Sequence, residues 1–541
     1  MPGSLDGMSP ADGASPLAVR TNPPGGGPLV QAAIAGETPP DWYVPVPRGA
    51  DAWRLHLDEV RGQFSAGAWL ELLGPAFAAT GAAAERLARS GAGAGVVVTT
   101  GQQPGLFGGP LYVLSKAISA LALADALEAA TGVPVAPVFW AATDDADFAE
   151  ASRTSVAHGP HVHPLAAAST AVDGVPMSAV RLGADVPALY ERLARAAGSA
   201  AHLAALDAAR NAYVPGRTVG DAYVALLREV LAPLGIAVLD ASHPATREGG
   251  FNLLRRALLV SEALERETAS RSGAITGAGF TPQVPDVPGR SLVFTSDAAG
   301  RKMRVPTAEA RALVPRVARG ALGPNVLLRP VMERQVLPTV AYLAGPGEYA
   351  YFAQVSAVAQ ALAVPQPLAV PRWSGTIVEP QVARALERLD LAPEALRDAA
   401  ALEARLARAA IPADVRDALV ALRAAVASHG GALAAADRAA LVPERAVLGA
   451  RAAIEHRIDR LERRYAAAVK RGDDARLRDL AVARAALWPG GAPQERTLAF
   501  LPLLARHGDA LLDAMRVAAR GHADALVRDG LAGVRAEPLR A

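Results

Sequence analysis

The sequence predicts an α/β fold in which a parallel-sheet core with insertions is followed by an all-α coiled-coil domain. Three observations support this prediction. Short β-branched runs alternate with helical segments up to about residue 382, the composition then changes to alanine, arginine, glutamate and leucine, and apolar residues recur there at steps of three and four. Strands that alternate with helices are typical of parallel sheets, and the later spacing is typical of coiled coils.

The first repeat of the alternation surrounds a glycine-rich loop. The run AGVVVTTGQQPGLFGGP predicts a buried strand followed by a tight turn. The next segment, LYVLSKAISALALADALEAATG, has helical spacing and ends at Gly132, which suits a helix C-cap. VPVAPVFWAATDD then predicts a second buried strand with acidic residues at its carboxyl end. Together these segments form one βαβ unit.

The alternation continues along the chain. AYVALLREVLAPLG followed by IAVLDAS predicts a helix and a strand, and VLPTVAYLAGPGEYAYFAQVSAVAQALAV predicts a strand, a glycine turn and a helix. QPLAVPRWSGTIVE predicts the last strand of this sheet, whereas LVFTSDAAGRKMRV predicts an inserted hairpin. Parallel sheets bind ligands at the carboxyl ends of their strands, so we expect the site residues there.

The chain divides into four predicted segments. Residues 1–40 are expected to form a disordered leader, because PADGASP and PPGGGP cannot bury enough apolar surface. The core is expected at 41–382, the helical coiled-coil domain at 383–487, and a helical segment that packs back on the core at 488–541. The predicted coiled-coil seam comprises Val447, Ile454, Ile458, Leu461, Tyr465 and Ala468. This seam either belongs to a helical hairpin for self-association or packs on the body of the protein.

The composition excludes several classes of function. The 541 residues contain no cysteine, which excludes disulfides, thiolate metal sites and a cysteine nucleophile. The 55 Lys and Arg nearly balance 53 Asp and Glu, and a net charge of +2 gives no strong field for nucleic acid. No run approaches the roughly 20 uninterrupted apolar residues of a membrane span, and the N-terminus lacks a signal-peptide pattern. We expect a cytoplasmic protein with small-molecule substrates that binds neither nucleic acid nor a membrane.

The first candidate site residues lie in the glycine loop, between a strand and a helix. Backbone N–H groups and the helix dipole can hold an anion at such a position, although a purely structural turn is the alternative. The loop lacks the Lys-Ser/Thr ending of a Walker A loop. Adjacent glutamines, which offer both donors and acceptors, suit a hydroxylated or amide-bearing ligand. The candidates are Thr100, Gly101, Gln102 and Gln103.

Three carboxylates, Asp144, Asp145 and Asp147, follow the second strand. Carboxylates this close repel one another unless a cation, an ammonium group or protonation separates them. They predict either an amine- or metal-binding cluster or an acidic helix N-terminus that the helix dipole favours. The histidines of the nearby HGPHVHP have no accompanying carboxylate motif, so we interpret them as solvated loop residues and predict no metal site.

The later glycine turn supplies a third group of candidates. Arg329 precedes the strand VLPTVAYLA, which ends at a glycine turn with Glu348 at the start of a helix, and PRWS supplies another arginine. An arginine can bind a carboxylate through two parallel hydrogen bonds, although an ordinary structural ion pair is equally compatible with either position. The candidate binding residues here are Arg329, Tyr342, Gly345, Gly347, Arg372 and Ser374.

Five motifs occur in the same order as in a known family. They are TGQQPGLFGGPLYVLSKAIS, PVFWAATDDADFAE, RPVMERQVLPTVAYLAGPGEYAYFAQ, PRWSGTIVE and LWPGGAPQER. From about residue 42 to the end, the chain resembles the bacillithiol biosynthesis cysteine-adding enzymes, the BshC family. The resemblance implies a Rossmann-like core with connecting insertions and a helical domain that is used in homodimerisation.

The resemblance also implies a reaction. The carboxyl group of L-cysteine forms an amide with the glucosamine amine of glucosaminyl-malate, which is the last step of bacillithiol biosynthesis. The malate carboxylates require cations, for which the candidates are Lys116, Arg329 and Arg372. Gln102 and Gln103 are the candidates to bind the sugar hydroxyls. The cysteine ammonium requires a carboxylate, and the attacking amine requires a base. The catalytic candidates are Asp145, Asp147 and Glu348, with Asp144 as a binding residue.

The chain departs from the family pattern near the predicted site. The family usually has Glu-Asp-His-Asp where residues 144–147 are Asp-Asp-Ala-Asp, another usual histidine is Arg153, and the usual Gln-Asp is Glu333-Arg334. The general base is therefore not assigned by the resemblance. Activation by ATP is a hypothesis without a Walker or His-Ile-Gly-His motif to support it. The alternatives are a ligase with a different amine or amino acid, and a non-catalytic coiled-coil dimer that binds a nucleotide or a sugar acid.

Overall fold

The computed structural model describes residues 17–93, 95–168, 173–436, 441–472 and 474–535. The strands within these residues are β1 (Ala18–Thr21), β2 (Val96–Gln102), β3 (Val135–Ala141), β4 (Arg153–His158), β5 (His161–Ala166), β6 (Ala237–Asp240), β7 (Arg290–Ser296), β8 (Lys302–Pro306), β9 (Gly323–Pro324), β10 (Thr339–Ala344), β11 (Ala369–Pro371) and β12 (Gly375–Val378).

The α-helices within the described residues follow the same numbering from the N-terminus. They are α1 (Pro28–Ala35), α2 (Gly49–Arg61), α3 (Ala68–Phe77), α4 (Gly81–Gly91), α5 (Tyr112–Thr131), α6 (Phe148–Ala151), α7 (Val186–Ala197), α8 (Ala204–Ala212), α9 (Val219–Leu231), α10 (Pro244–Leu259), α11 (Ser261–Gly277), α12 (Thr307–Leu313), α13 (Leu328–Val336), α14 (Pro346–Ala361), α15 (Pro380–Leu389), α16 (Ala399–Ala409), α17 (Ala413–Ala436), α18 (Glu444–Gly472), α19 (Asp474–Leu487), α20 (Gln494–Thr497) and α21 (Leu501–Asp529).

The central sheet confirms the predicted parallel α/β core. In the described residues its strand order is β11-β10-β2-β3-β6, and every neighbouring pair is parallel. Strands β3 and β10 are buried along their whole length, as expected for strands covered on both faces by helices. The chain runs from β2 through β3 to β6 on one side and then returns to β10 and β11 on the other. This reversal beside β2 is the switch point where such sheets bind ligands.

The predicted hairpin insertion is also present, because β7 and β8 pair antiparallel, with β9 on the other side of β7. A second hairpin, β4–β5, contains the histidines that the sequence placed in a solvated loop. The last predicted strand, QPLAVPRWSGTIVE, is divided in two. Its first part is β11 at the edge of the central sheet, and its second part, β12, pairs with β1.

The N-terminal segment corrects part of the sequence prediction. Residues 1–16 of the expected disordered leader lie outside the described residues, but residues 17–40 contain β1 and α1. Helix α1 buries Leu29, Val30 and Ile34, each at 4% exposure or less. This short apolar run lies between glycine- and proline-rich stretches, and their composition led to the prediction of disorder for the whole segment. The expectation of disorder is therefore wrong for residues 17–40.

Two compact units form within the chain. The larger unit contains Leu17–His158, His163–Ile377 and the segment from Gln494 to the last described residue, Arg535. The smaller unit is helical and contains Val378–Pro493, with the tip of the β4–β5 hairpin. The division between the two units thus falls at residues 378 and 494. These positions lie close to the boundaries after 382 and 487 that the composition predicts.

The helical unit contains the predicted hairpin, formed by α17 and α18. Arg423 of α17 pairs with Asp459, at 2.8 Å, and with Glu462 of α18. Of the predicted seam, Ile458 is buried, whereas Ile454 and Leu461 remain 46% and 42% exposed. The hairpin therefore keeps an apolar stripe in contact with solvent.

Helix α17 is also long and apolar enough to cross a membrane when length and composition are the only criteria. Its most apolar 18-residue window has a mean hydropathy of 1.4 and is 6% buried. The interrupting charge of Arg423, with its two carboxylate partners on α18, fits a helical hairpin equally well.

Candidate functional site

A cavity of about 640 Å³ lies at the carboxyl ends of the parallel strands. Its wall includes Gln102 at the end of β2 and Gly345 directly after β10, so it lies at the predicted switch point. The acidic residues that line it are Asp144, Asp145, Asp147, Glu150 and Glu348. The basic residues that line it are Lys116, Lys302, Arg304, Arg329, Arg372 and Arg496. The sequence prediction of a site at the strand ends thus corresponds to a highly charged cavity.

Lys116 and Glu348 form a buried ion pair in the wall of this cavity. Lys116 is 3% exposed, and its Nζ lies 2.6 Å from Glu348 Oε2. The same ammonium donates to the Gly101 carbonyl at 2.6 Å and to Gln102 Oε1 at 2.8 Å. It therefore links helix α5, the end of β2 and the start of α14. The candidate residue Lys116 is placed at the site, but all its donors have partners inside the protein.

Glu348 is held by the first turn of its own helix as well. Its Oε2 accepts from the N–H of the N-cap residue Gly345 at 2.7 Å, which is the half of a capping box that a glycine allows, and its Oε1 accepts from the Tyr342 hydroxyl at 2.6 Å. Burial alone would raise the pKa of Glu348, but Lys116, Tyr342 and Arg329 outweigh burial and hold the pKa below its ordinary value. Burial lowers the pKa of Lys116 more than Glu348 raises it. Glu348 is therefore an ionised structural partner.

Arg329 is the centre of a second buried network. Its guanidinium lies 3.2 Å from Glu333 Oε2 and donates to the hydroxyls of Tyr342, at 3.2 Å, and Tyr351, at 3.1 Å. Thr99 of β2 donates to the other oxygen of Glu333. Burial raises the pKa of Glu333 to about 7, against the opposing attraction of Arg329. Glu333 was not a predicted site residue and was noted only as a departure from the family pattern, because helix α13, which carries it, was not predicted.

Arg372 forms a third internal pair, with Glu495 of the C-terminal segment. Two parallel hydrogen bonds join them, at 3.0 Å and 2.8 Å, and Arg372 Nη1 also donates to the Trp373 carbonyl at 2.8 Å. The predicted malate-binding cations Lys116, Arg329 and Arg372 are therefore each neutralised by a carboxylate of this chain. The structural ion pair is thus the arrangement formed at each of the three cations, and their binding of a ligand carboxylate stays a prediction.

The two glutamines form a hydrogen-bonded chain along the cavity. Gln102 Nε2 donates to Gln103 Oε1 at 2.8 Å, and Gln103 Nε2 donates to Glu150 Oε2 at 2.7 Å. This series of hydrogen bonds begins at Lys116, which donates to Gln102, and it connects the buried ion pair with Glu150. Burial raises the pKa of Glu150, although the hydrogen bond from Gln103 and the charge of Arg496 act against it. Glu150 was not among the predicted residues.

The acidic segment after β3 caps a short helix, as one of the two interpretations of its sequence predicts. Asp147 Oδ1 accepts from the Glu150 N–H at 3.0 Å and caps helix α6. Asp145 Oδ1 accepts from the Asp147 N–H at 2.8 Å, and burial raises the pKa of Asp145. Asp144 accepts from Lys302 Nζ through its carbonyl oxygen at 2.8 Å and through Oδ2 at 3.4 Å. The residues that the structure describes contain no group of three or more His, Asp or Glu arranged to hold a metal ion.

Three predicted binding residues do not line the cavity. Thr100 is fully buried and donates to the Leu343 carbonyl at 2.9 Å, because its side chain points between strands. Tyr342 lies behind Glu348 in the network described above. Ser374 pairs with Asn22 near β1, at 3.4 Å between side chains. Gly101, Gly345 and Gly347 do line the cavity, and a Cβ at Gly101 would lie 2.8 Å from the Trp140 carbonyl oxygen.

The inserted hairpin β7–β8 supplies residues that the sequence did not assign to the site. Lys302 and Arg304 of β8 line the cavity. Lys302 Nζ also lies 4.9 Å from the centre of the Phe294 ring, which holds the ammonium beside Asp144. The alternating pattern of the hairpin was visible in the sequence, but its position over the sheet depends on tertiary packing.

The fold and the site together define a Rossmann-like α/β protein with a helical coiled-coil domain. A sequence model described as "Bacillithiol biosynthesis BshC, N-terminal Rossmann-like domain" matches residues 74–311 and 313–373. A second, described as "Bacillithiol biosynthesis BshC, C-terminal coiled-coil domain", matches residues 375–523. The chain belongs to the BshC family.

Curated relatives match over most of the chain. A relative from Solibacter usitatus, named "Putative cysteine ligase BshC", is 34% identical over 442 residues, which cover 79% of this chain and 82% of the relative. A relative of the same name from Koribacter versatilis is 32% identical and covers 82% of this chain and 86% of its own length. Another from Salinibacter ruber is 30% identical, with 79% and 81% covered.

Proposed function

We propose that this chain is a ligase that joins the carboxyl group of L-cysteine to the amine of glucosaminyl-malate, the last step of bacillithiol biosynthesis. The family and the names of its relatives support ligation of cysteine. The observation that carries the proposal is the cavity at the switch point, whose wall combines the acidic segment after β3 with Arg304 and Arg496. Carboxylates suit the amines of both substrates, and arginines suit the carboxylates of both substrates.

Asp145 is the general base of the proposed reaction. The attacking amine must lose a proton, and a base works best when its pKa lies near the working pH. Burial raises the pKa of Asp145, and Asp145 lies on the cavity wall beside Asp147. Glu348 has a different role from the predicted catalytic one. Both of its oxygens accept hydrogen bonds from the protein, so it orients Lys116 and the end of β2.

Amide formation from a free carboxylate releases water and requires an activated carboxylate. A phosphoanhydride such as ATP is the activating substrate that fits a ligase, and the glycine loop has no Walker ending that would hold it. No enzyme thiol can carry the cysteinyl group, because the chain has no cysteine.

The test uses the purified full-length chain with L-cysteine and glucosaminyl-malate, with and without ATP and Mg²⁺, and mass spectrometry of the product. We expect the amide product in the presence of ATP and at least about a hundredfold lower rate for Asp145→Asn. Absence of product under every condition would overturn the catalytic proposal. A panel of other amino sugars and amino acids separates this reaction from the same ligation with a different substrate.

We also propose that the chain forms a homodimer through the α17–α18 hairpin. Val420 and Leu433 of α17 are 62% and 63% exposed, and Ile454 of α18 is 46% exposed. Exposed apolar side chains in a row along a helix are favourable only when a partner covers them. Sedimentation equilibrium should give a dimer for the natural chain and a monomer for Val420→Glu with Ile454→Glu. A dimer of unchanged affinity in this variant would exclude the hairpin as the interface.

A further inference from the structure

A second cavity, of about 560 Å³, adjoins the candidate site. The two cavities share the wall residues Gln103, Tyr112, Glu150 and Arg496. The second cavity is otherwise bounded by the glycine loop, the start of β4 and the end of β5. A ligand that extends across the shared wall would therefore place one end at the carboxylates of the first cavity and the other in the second.

The charge of the second cavity is positive. Arg153 and Arg496 line it, and Glu150 on the shared wall is its single acidic residue among the described residues. Neither guanidinium forms a hydrogen bond or an ion pair with the residues that the structure describes, although the charge of Arg496 acts to lower the pKa of Glu150. Glu150 Oε2 accepts from Gln103. Lys116, Arg329 and Arg372 of the first cavity, in contrast, are each paired with a carboxylate.

Backbone pairing brings the two arginines to the same part of the wall. Ser155 forms a parallel bridge with Leu498, and the Ala499 N–H donates to the Ser155 carbonyl at 2.8 Å. Arg153 and Arg496 each lie two residues before the bridge in their own segments. Two like charges on one cavity wall repel each other, and an anion bound between them relieves this repulsion. Thr154, between Arg153 and Ser155, is 7% exposed, and its Oγ1 has no hydrogen-bond partner.

Several backbone donors of the glycine loop are used inside the protein. The N–H groups of Gly108 and Gly109 donate to the Gly105 and Leu106 carbonyls, at 3.0 Å and 3.1 Å. The Leu111 N–H donates to the Leu498 carbonyl at 2.7 Å. Because these donors are used inside the protein, the two arginine side chains are the main groups that an anion meets among the described residues of this cavity. Two separate guanidinium groups suit two separate carboxylates better than a chain of phosphates that requires several convergent donors.

We infer that Arg153 and Arg496 bind the two carboxylates of the malyl group of the amine substrate. This inference rests on the proposed function. With the malyl group in the second cavity, the amine at the other end of the substrate lies across the shared wall, near Glu150 and the acidic segment of the first cavity. Arg153 and Arg496 are thus the specificity residues for a dicarboxylate amine substrate, and Lys116, Arg329 and Arg372 maintain the shape of the first cavity.

Isothermal titration calorimetry with L-malate tests the subsite without turnover. We expect Arg153→Gln and Arg496→Gln each to weaken L-malate binding at least about tenfold, since each removes a charge-assisted hydrogen bond. The matched control is Arg210→Gln, which changes an exposed arginine that pairs with Asp207 and should bind L-malate as the natural chain does. In steady-state assays the same two variants should raise KM for glucosaminyl-malate and leave KM for L-cysteine unchanged.

The outcomes separate the subsite from the reaction. Loss of L-malate binding in both variants supports the subsite even if the natural chain makes no amide product, which would count against the proposed function alone. Unchanged L-malate affinity in both variants overturns the subsite. A selective loss of ADP binding, with L-malate binding intact, also overturns it and would assign the arginines to a nucleotide.

Discussion

The strand-end cavity and the α17–α18 hairpin use similar ion pairs in different surroundings. In the cavity wall, Lys116 and Glu348 are 3% and 18% exposed, whereas Arg423 and Asp459 of the hairpin are 37% and 52% exposed. Water screens the hairpin pair and replaces a lost partner at little cost, but it cannot reach the buried ammonium. Burial therefore decides what such an ion pair does: the buried pair fixes the geometry of the site, and the exposed pair contributes little to the fold of the hairpin.

The largest difference is expected from removal of the buried ammonium. Lys116→Met should lower the free energy of unfolding by about 3–5 kcal/mol, because it leaves Glu348 buried without a counter-charge. Urea unfolding of the purified variant measures this. The double variant Lys116→Met with Glu348→Gln should recover part of the loss, since the uncompensated charge is then gone. A loss below about 1 kcal/mol for the single variant would show that the pair behaves like a surface pair.

The effect of burial at the site can also be tested through the pH dependence of stability, because Glu333 is a buried carboxyl group. Its folded-state pKa of about 7 lies above its ordinary value of 4.5, so the folded chain holds this proton more tightly than the unfolded chain does. The contribution of Glu333 to the free energy of unfolding therefore decreases as the pH rises from about 4.5 to about 7, and it is constant above that range. Glu333→Gln should remove this dependence.

The measurement is the free energy of unfolding of Glu333→Gln minus that of the natural chain, followed from pH 4.5 to pH 8. This difference should rise by roughly 3 kcal/mol across the range, in favour of the variant. The variant also loses the ion pair with Arg329. This loss displaces the difference in unfolding free energy by the same amount at every pH and leaves its slope unchanged. A flat difference curve would mean that Glu333 is ionised throughout and that Arg329 fully compensates its burial.

Two bidentate arginine–carboxylate pairs allow a direct comparison at matched geometry. Arg372 and Glu495 are 4% and 10% exposed, whereas Arg388 and Asp479 of the helical unit are 57% and 21% exposed. Both pairs have two hydrogen bonds of 3.0 Å or less. Double-mutant cycles with alanine should give a coupling energy of about 2–3 kcal/mol for the first pair and below about 1 kcal/mol for the second. Equal coupling energies would show that geometry, not burial, determines the strength.

The fold was largely predictable from sequence because its signals are local. The β-branched runs before the glycine loops gave the central strands, and the change of composition gave the helical unit close to its observed boundaries. The site was predictable as a location, since parallel strands have one ligand-binding edge. Its pairing was not predictable. Glu495 lies more than a hundred residues from Arg372, and only the folded chain shows that it occupies that guanidinium.

The smallest effect is expected in the hairpin. Arg423→Ala should lower the free energy of unfolding by no more than about 1 kcal/mol, although Arg423 contacts both Asp459 and Glu462. Exposed charges are screened over about 3 Å at 1 M salt, so the difference from the natural chain should vanish when urea unfolding is repeated in 1 M NaCl. The effect of Lys116→Met should persist in the same salt, because ions do not enter the buried network. If the destabilisation by Lys116→Met also disappeared in 1 M NaCl, solvent ions would reach Lys116. The two ion pairs would then not differ in their exposure to solvent.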